Sequence, residues 1–269
     1  MPMSVQDFEN FVVVVTGAST GLGRAIAIET ARRGAADVIV NFARSAEEAE
    51  TTASLVRAEG ARAHLIQGDV SRDEDCRAIA AAAASLGRID ALFNNAGVTK
   101  FAQNHADLEA VTAEDFLNLY SVNVVGAFQM VRAARSLLEA APQPGAVVNT
   151  SSIAGVVGIG SSVPYAASKG ALNTLTLSLA RALAPRIRVN AVCPGFIDTP
   201  WFGKGMSEER VARLREGSAA ATPLKVASSA EDIAATAAFL ASRQSRHVTG
   251  ETLLVDAGSH LGFATLSMR

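Results

Sequence analysis

Cysteine, tyrosine, lysine and tryptophan are all scarce in this chain of 269 residues, and so are runs of charge and of lipid-length hydrophobicity. Two cysteines, Cys76 and Cys193, are too few for a disulfide framework. That excludes a small stapled scaffold and makes a reducing cytoplasm the expected location. No apolar run approaches the roughly 20 residues that span a bilayer. The opening "MPMSVQDFEN" also lacks the basic start and apolar centre of a secretion signal. With 26 acidic and 24 basic residues the net charge is −2, and no block carries one sign. Neither nucleic acid, nor a membrane surface, nor a charged tail is therefore expected. No linker, composition break or internal repeat divides residues 1–269, so one domain is expected, and no metal is expected.

What is present is ample apolar material, 49% of the residues. It falls into short β-rich runs at 11–17, 37–42, 62–68, 89–95, 145–151, 188–195 and 252–258, separated by alanine-rich, helix-length segments. The runs are nearly continuous rather than alternating, as in strands covered on both faces. Alternation of such strands with helices predicts a doubly wound α/β domain with a parallel sheet. Ser71 with Glu74, and Ser229 with Asp232, read as helix-starting capping boxes. A helix is predicted from near Tyr165 until Pro185 stops it. Segment 200–222 breaks the rhythm with Gly203, Gly205 and the pair Trp201–Phe202, and is expected to be a substrate lid.

At the first strand-to-helix turn, "VTGASTGLGRA" sets Gly17, Gly21 and Gly23 among Ser19, Thr20 and Leu22. Glycines there allow a tight turn and close backbone approach to a pyrophosphate, which a helix N-terminus stabilises. The second strand ends in "VIVNFARS": neutral Asn41, then Arg44 and Ser45, where NAD-selective sites usually carry a carboxylate. A guanidinium holds a 2′-phosphate that a carboxylate would repel, so NADP(H) is favoured over NAD(H). Arg44 as a solvated loop residue is the alternative. Asp69, beside Val70, either touches an adenine or assists the helix cap at Ser71. "NNAG" (94–97) ends the fourth strand in small residues suited to close ligand approach.

Tyr165 and Lys169, one of two tyrosines and one of four lysines, lie one helical turn apart. They head a stripe through Leu172, Leu175 or Thr176, Leu179 and Leu183 that faces inward. A phenol normally ionises near ~10. An adjacent ammonium is expected to lower that value and make Tyr165 a general acid and base for a carbonyl or alcohol oxygen. Ser152, thirteen residues earlier at the end of the fifth strand, is placed to hold that oxygen. Asn123 lies on the stripe Phe116, Tyr120, Asn123, Ala127, Met130, Ala134. It is either a satisfied core amide or a group that orients a water in a proton relay from Lys169.

Taken together, "TGASTGLG", "NNAG", a helical Asn, a Ser followed by Tyr-x-x-x-Lys, and "CPGFIDTP" resemble the short-chain dehydrogenase/reductase family, in its order from residue 12 to about 258. The "NFARS" segment and the "HVTGETLLVDAGS" ending are most similar to its 3-oxoacyl-[acyl-carrier-protein] reductase type. The resemblance implies a single Rossmann-type domain with a seven-stranded parallel sheet and helices on both faces. It also implies NAD(P)-dependent hydride transfer between a nicotinamide and a carbonyl or secondary alcohol. The catalytic tetrad would be Asn123, Ser152, Tyr165 and Lys169, with Lys169 and Tyr165 also meeting the cofactor. Asp69, Val70, Asn95, Ala96 and Gly97 would line the adenosine side, and Pro194, Gly195, Ile197 and Thr199 the nicotinamide side. Ser152 rather than Ser151 fits the family spacing. Where many NADP-using members carry a basic residue, this chain has Thr20, and segment 98–115 is longer than usual after "NNAG". Lys100, Lys204 and Lys225 either meet an acidic carrier protein or are surface charges. Phe101, Trp201, Phe202 and Met206 are expected to form an apolar rim. Related proteins pair helices equivalent to 115–140 and 165–184 into homotetramers. A non-catalytic dinucleotide-binding regulator and an epimerase or dehydratase remain the alternatives.

Overall fold

Apolar runs in this molecule are shared out, residue by residue, between two cores. On β1 (Val12–Val15), Val13 and Val15 enter one core while Val12 and Val14 enter the other. That is the period of two imposed on a strand covered on both faces. On β2 (Asp37–Phe42), Val38 and Val40 likewise oppose Ile39. With β3 (Arg62–Gln67), β4 (Ala91–Asn94), β5 (Gly145–Thr150), β6 (Ile187–Pro194) and β7 (Thr252–Val255), they form a seven-stranded sheet. Its order is β3-β2-β1-β4-β5-β6-β7 and every pairing is parallel. The computed structural model describes residues 6–203 and 207–262.

Helices fill the crossovers: α1 (Gly21–Arg32), α2 (Ala46–Ala58), α3 (Asp73–Ala81), α4 (Ala113–Tyr120), α5 (Ala127–Glu139), α6 (Ala154–Val157), α7 (Val163–Leu183), α8 (Pro200–Gly203), α9 (Glu208–Ala221) and α10 (Ala230–Ala241). Side chains of α1, α2 and α10 supply the first core, and those of α3, α5 and α7 the second. This is the doubly wound arrangement expected from the sequence, with helices on both faces. Because β1 lies between β2 and β4, the connections leave it in opposite directions and a crevice opens at the carboxyl ends of β1 and β4. No helix among the described residues is long and apolar enough to cross a membrane.

Several helix starts match expectation and one does not. Ser229 and Asp232 make a reciprocal capping box, and Thr112 with Asp115 makes a second that the sequence reading missed. Helix α7 begins at Val163, two residues before Tyr165, capped by the Ser162 hydroxyl, and ends at Leu183 ahead of a cis Ala184–Pro185 bond. The box expected at Ser71 and Glu74 does not form. Instead Asp69 captures Ser71, its Oδ1 accepting from the Ser71 amide at 3.0 Å and hydroxyl at 2.8 Å, and α3 starts two residues later. The Asp69 carboxylate takes both the Ser71 amide and its hydroxyl proton in charge-assisted bonds, which holds Ser71 in the turn ahead of the helix.

Candidate active site

The turn after β1 is held open from three sides. Gly17 and Gly21 adopt φ of +60° and +55°, the left-handed region that only glycine enters without strain. Gly23 is packed so closely that a Cβ there would lie 2.3 Å from the Gly17 carbonyl oxygen and 2.5 Å from Asn95 Nδ2. Asn95 Nδ2 donates to the carbonyls of Thr16 and Gly17, both at 3.0 Å, while the Thr16 hydroxyl accepts the amides of Asn95 and Ala96. Buried Asn41 accepts from the Gly17 amide at 3.2 Å and spends both amide protons on Ile66 and Gly68 carbonyls. Asn41 and Asn95 were expected as cofactor contacts, but their side chains serve as struts of the turn. Arg24, not singled out in the sequence, grips the Ser19 carbonyl at 2.6 Å and the Thr52 hydroxyl at 2.9 Å.

The cradle fits a dinucleotide. The Thr20 side chain, at the N-cap of α1, makes no capping bond, so no side chain competes for the first-turn amides. Leu22 is buried in the core on one face of the sheet, and Val70 in the core on the other, against Gly126 of the helix that carries Asn123. Across it, Thr199 comes close enough that a Cβ on Gly21 would meet its Cβ at 3.6 Å, which brings segment 194–199 to the same crevice. Pro194 accepts from the Ile153 amide, Gly195 is pressed against Asp256, and Ile197 bridges to Ser228. When bound there, a nicotinamide dinucleotide supplies a hydride. Exposed Arg44 makes no hydrogen bond or close ion pair among the described residues. Asp69 is held below the usual carboxylate range, first by the Ser71 amide and also by the charges of Arg44 and Arg72, and burial opposes them. Ser45, at the N-cap of α2, also leaves its hydroxyl out of the cap.

Asn123, Ser152, Tyr165 and Lys169 converge around Gly97. A Cβ on Gly97 would lie 3.4 Å from Asn123 Oδ1 and 3.7 Å from Lys169 Nζ. Lys169 Nζ stands 5.7 Å from the Tyr165 ring centroid and donates to the Thr150 carbonyl at 2.8 Å. The Ser152 hydroxyl lies beside the phenol and favours its ionised form. Its neighbour Ser151 points the other way, donating to the Lys169 carbonyl at 3.1 Å. Asn123 sits in a π-helical turn, Ser121–Gly126, between α4 and α5. Such turns are frequent at functional sites. Both its amide protons are used, one on the Val98 carbonyl and one on the Ser168 hydroxyl at 3.0 Å, and its Oδ1 accepts from the Val98 amide, while Ser168 donates to the Tyr165 carbonyl at 2.8 Å. The side chain thus has no spare donor, and a water there would have to be held through the remaining lone pair of Oδ1. Gly155 and Gly160 complete the frame: a Cβ on Gly155 would meet the Lys169 carbonyl carbon at 2.5 Å, and one on Gly160 would meet the Tyr165 ring at 3.3 Å.

The electrostatics correct one expectation. Burial pushes the Tyr165 phenol up to about 12, and the opposing pull of Ser152 is smaller. Lys169 itself is drawn down to about 8 by burial. The ammonium therefore does not by itself acidify the phenol, because desolvation of both groups outweighs their proximity. This carries a stability consequence. With a folded pKa below its ordinary 10.5, Lys169 binds fewer protons in the native state than in the unfolded chain between those values. Stability accordingly rises with pH through that window, and at pH 7 the charged amine costs at most roughly 3 kcal/mol. Lys169→Met is expected to unfold at higher denaturant at pH 7, by about 1–3 kcal/mol, while losing activity. A variant less stable than the parent would contradict the burial cost.

Exposed large apolar side chains flank these residues along the chain: Val98 and Phe101 after β4, Val156, Val157 and Ile159 between Ser152 and Tyr165, and Trp201 on α8. Segment 98–115 is an ordered wall, joined to the loop before Tyr165 by a Thr99–Ser161 hydroxyl contact and an Ala102 amide to Ser161 carbonyl bond of 2.8 Å. Lys100 pairs with Asp115 at 3.3 Å, and Lys225 donates to the Ala220 carbonyl at 2.8 Å. In segment 200–222, α9 is tied to the strand-end segment by Arg215 and Asp198 at 2.5 Å. Lys204, Gly205 and Met206, and the side chain of Phe202, lie outside the described residues.

The chain is similar to four known relations: a family model, two relatives and a solved structure. A family model described as Enoyl-(Acyl carrier protein) reductase matches residues 17–260. The chain is 41% identical over 251 residues, 93% of its length and 96% of the relative's, to a Streptomyces violaceoruber protein assigned as ketoacyl reductase 2 of the granaticin polyketide synthase. It is 35% identical over 250 residues to the 3-oxoacyl-[acyl-carrier-protein] reductase of Staphylococcus aureus, covering 92% of this chain and 97% of that one. A crystal structure of a short-chain dehydrogenase from Burkholderia cenocepacia in complex with NADP superposes with a TM-score of 0.83 at 32% identity, covering 94% of this chain and 99% of that one.

Proposed function

The chain belongs to the short-chain dehydrogenase/reductase family of oxidoreductases, and we propose that it is an NADP(H)-dependent enzyme that interconverts an apolar ketone or 3-oxoacyl thioester and its secondary alcohol. The observation that carries this is the Ser152 hydroxyl beside the Tyr165 phenol, with Lys169 Nζ 5.7 Å from the same ring. Ser152 holds the substrate oxygen and Tyr165 exchanges its proton with it. Lys169 anchors to Thr150 and supplies positive charge behind the phenol. A positive cofactor ring adds to that charge, which is what brings a phenol raised by burial back toward ionisation. Residues 1–269 act as one catalytic unit in the cytoplasm, with 200–222 as the lid over the substrate.

An apolar rim favours acyl chains, aromatics or alicyclic ketones over sugars. Assay of such ketones and alcohols with NADPH and with NADH, followed by absorbance of the reduced nicotinamide, tests the assignment; no turnover with any of them would refute it. Arg44, exposed and without a close partner, is the residue we assign to the 2′-phosphate. Arg44→Ala is expected to weaken NADPH by about tenfold or more and to leave NADH nearly unchanged, since the lost contact is charge-assisted. Equal losses for both cofactors would remove Arg44 from that role.

Exposed Leu117, Val125 and Phe128 on the continuous helical run 113–139 and Leu177 on α7 favour assembly into a homotetramer through these helices. Sedimentation of a monomer at micromolar concentration would exclude it.

A further inference from the structure

Beneath the candidate catalytic groups runs a buried chain of amides that the chemistry itself does not use. The Thr176 hydroxyl donates to the Leu172 carbonyl at 2.9 Å, so toward Asn149 it acts as acceptor, taking a proton from Asn149 Nδ2 at 2.9 Å. That fixes the Asn149 amide, whose Oδ1 accepts from Asn94 Nδ2 at 2.9 Å. The second proton of Asn94 goes to the Ala127 carbonyl at 3.3 Å, the first residue after the π-helical turn that carries Asn123. Asn94 is 5% exposed, and Asn149 and Thr176 are both 0%. All donors therefore point one way, and Asn94 Oδ1 is left buried with no hydrogen-bond partner among the described residues. A wholly structural core position favours an apolar residue over an amide with an orphaned acceptor.

Where the chain meets α7 is what gives it a use. Thr176 follows Lys169 by seven residues, two helical turns, and so lies on the same face. Three consecutive residues of β5 and its continuation grip that face: Asn149 through Thr176, Thr150 through Lys169 Nζ, and Ser151 through the Lys169 carbonyl. We propose that Asn94, Asn149 and Thr176 are positioning residues that set the register of α7 against the sheet and against the Asn123 turn, and thereby place Lys169 and Tyr165. The turnover part of the test rests on the oxidoreductase assignment; the placement of Lys169 does not.

The test uses the scarcity of lysine. With four lysines in the chain, ¹³Cε-lysine NMR of the full-length protein without cofactor follows Lys169 directly. Lys169 is faced by the Tyr165 ring and the Cys193 thiol. Thr176→Val keeps the shape and removes the hydroxyl. It is expected to move the Lys169 titration upward by ~0.5 pH or more as the amine loses its buried seat, and to lower kcat by about tenfold with little change in ketone KM. Thr176→Ser restores both values. Leu138→Val, in the core at the opposite end of the sheet, serves as a control whose loss of melting temperature leaves both unchanged. Should Thr176→Val fail to fold, Thr176→Cys, with a weaker donor, is expected to give an intermediate shift. A Lys169 titration in Thr176→Val that matches the parent and the Leu138→Val control overturns the proposal. If the titration moves and no ketone is turned over by the parent protein, the positioning role stands and the oxidoreductase assignment falls.

Discussion

Tyr165→Phe is expected to lower turnover of an apolar ketone by about 10²–10⁴-fold, the usual contribution of a positioned acid or base. Affinity for NADPH should hold within about twofold, because the ring remains and only its oxygen leaves. The frame supports that separation. Gly160 lies against the ring carbons rather than the hydroxyl, and Lys169 keeps its bond to the Thr150 carbonyl whichever side chain stands at 165. Only the Ser152 hydroxyl loses a neighbour, and it retains the Ala154 amide at 3.1 Å. Steady-state assays beside a fluorescence titration of NADPH measure both quantities. Unchanged turnover would remove the phenol from the chemistry; equal losses of turnover and cofactor affinity would make Tyr165 a packing residue.

Gly23→Ala is expected to abolish cofactor binding, with affinity reduced more than about 100-fold, and to destabilise the fold by about 1–3 kcal/mol or more. The added methyl would lie 2.3 Å from the Gly17 carbonyl oxygen, 2.5 Å from Asn95 Nδ2 and 2.9 Å from the Ala18 Cα. Two of these three are backbone, and the third is a side chain locked by two bonds to Thr16 and Gly17. Nothing there can yield without moving the turn proposed to meet the phosphates. Gly217 in α9 offers the contrast, since a Cβ there meets nothing within 4 Å. Gly217→Ala should be neutral or stabilising by up to about 1 kcal/mol through helix propensity. Calorimetric titration with NADPH and thermal unfolding of both variants check the pair. Tight NADPH binding by Gly23→Ala would show that the turn is not the phosphate cradle.

Much of this was legible in the chain because the signals are steric. Short apolar runs without alternation fit strands covered on both faces, and all seven pair in parallel, with the edge strands β3 and β7 only half-buried. Glycines at 17, 21 and 23 announced a turn that tolerates no side chain. Except in β2, whose bounds match, the carboxyl ends of the strands were read too long by one to three residues, since they leave the sheet to form the crevice. Directions of neutral amides were not legible. Asn41 and Asn95 suit a ligand or a backbone carbonyl equally well in sequence, and the fold turns both inward. Nothing in "SVNVVG" separates a π turn from an α turn, because both present the same residues and differ in which carbonyl accepts. Leu175 and Thr176 were equivalent by periodicity, and it is Thr176 that is buried. The contest between burial and charge at Tyr165 depends on depth, which no spacing encodes.

The decisive titration is that of Tyr165 itself. The chain has only two tyrosines, so ¹³Cζ-tyrosine NMR shows Tyr165 with Tyr120 as internal reference. Without cofactor, Tyr165 should stay protonated to about 12. With NADP⁺ bound, its midpoint should fall below ~10, because the cofactor's positive charge would favour the phenolate in the range where Lys169, drawn down to about 8, has already lost its own. A midpoint unmoved by saturating NADP⁺ would contradict the proton-exchange role on which the proposed function stands.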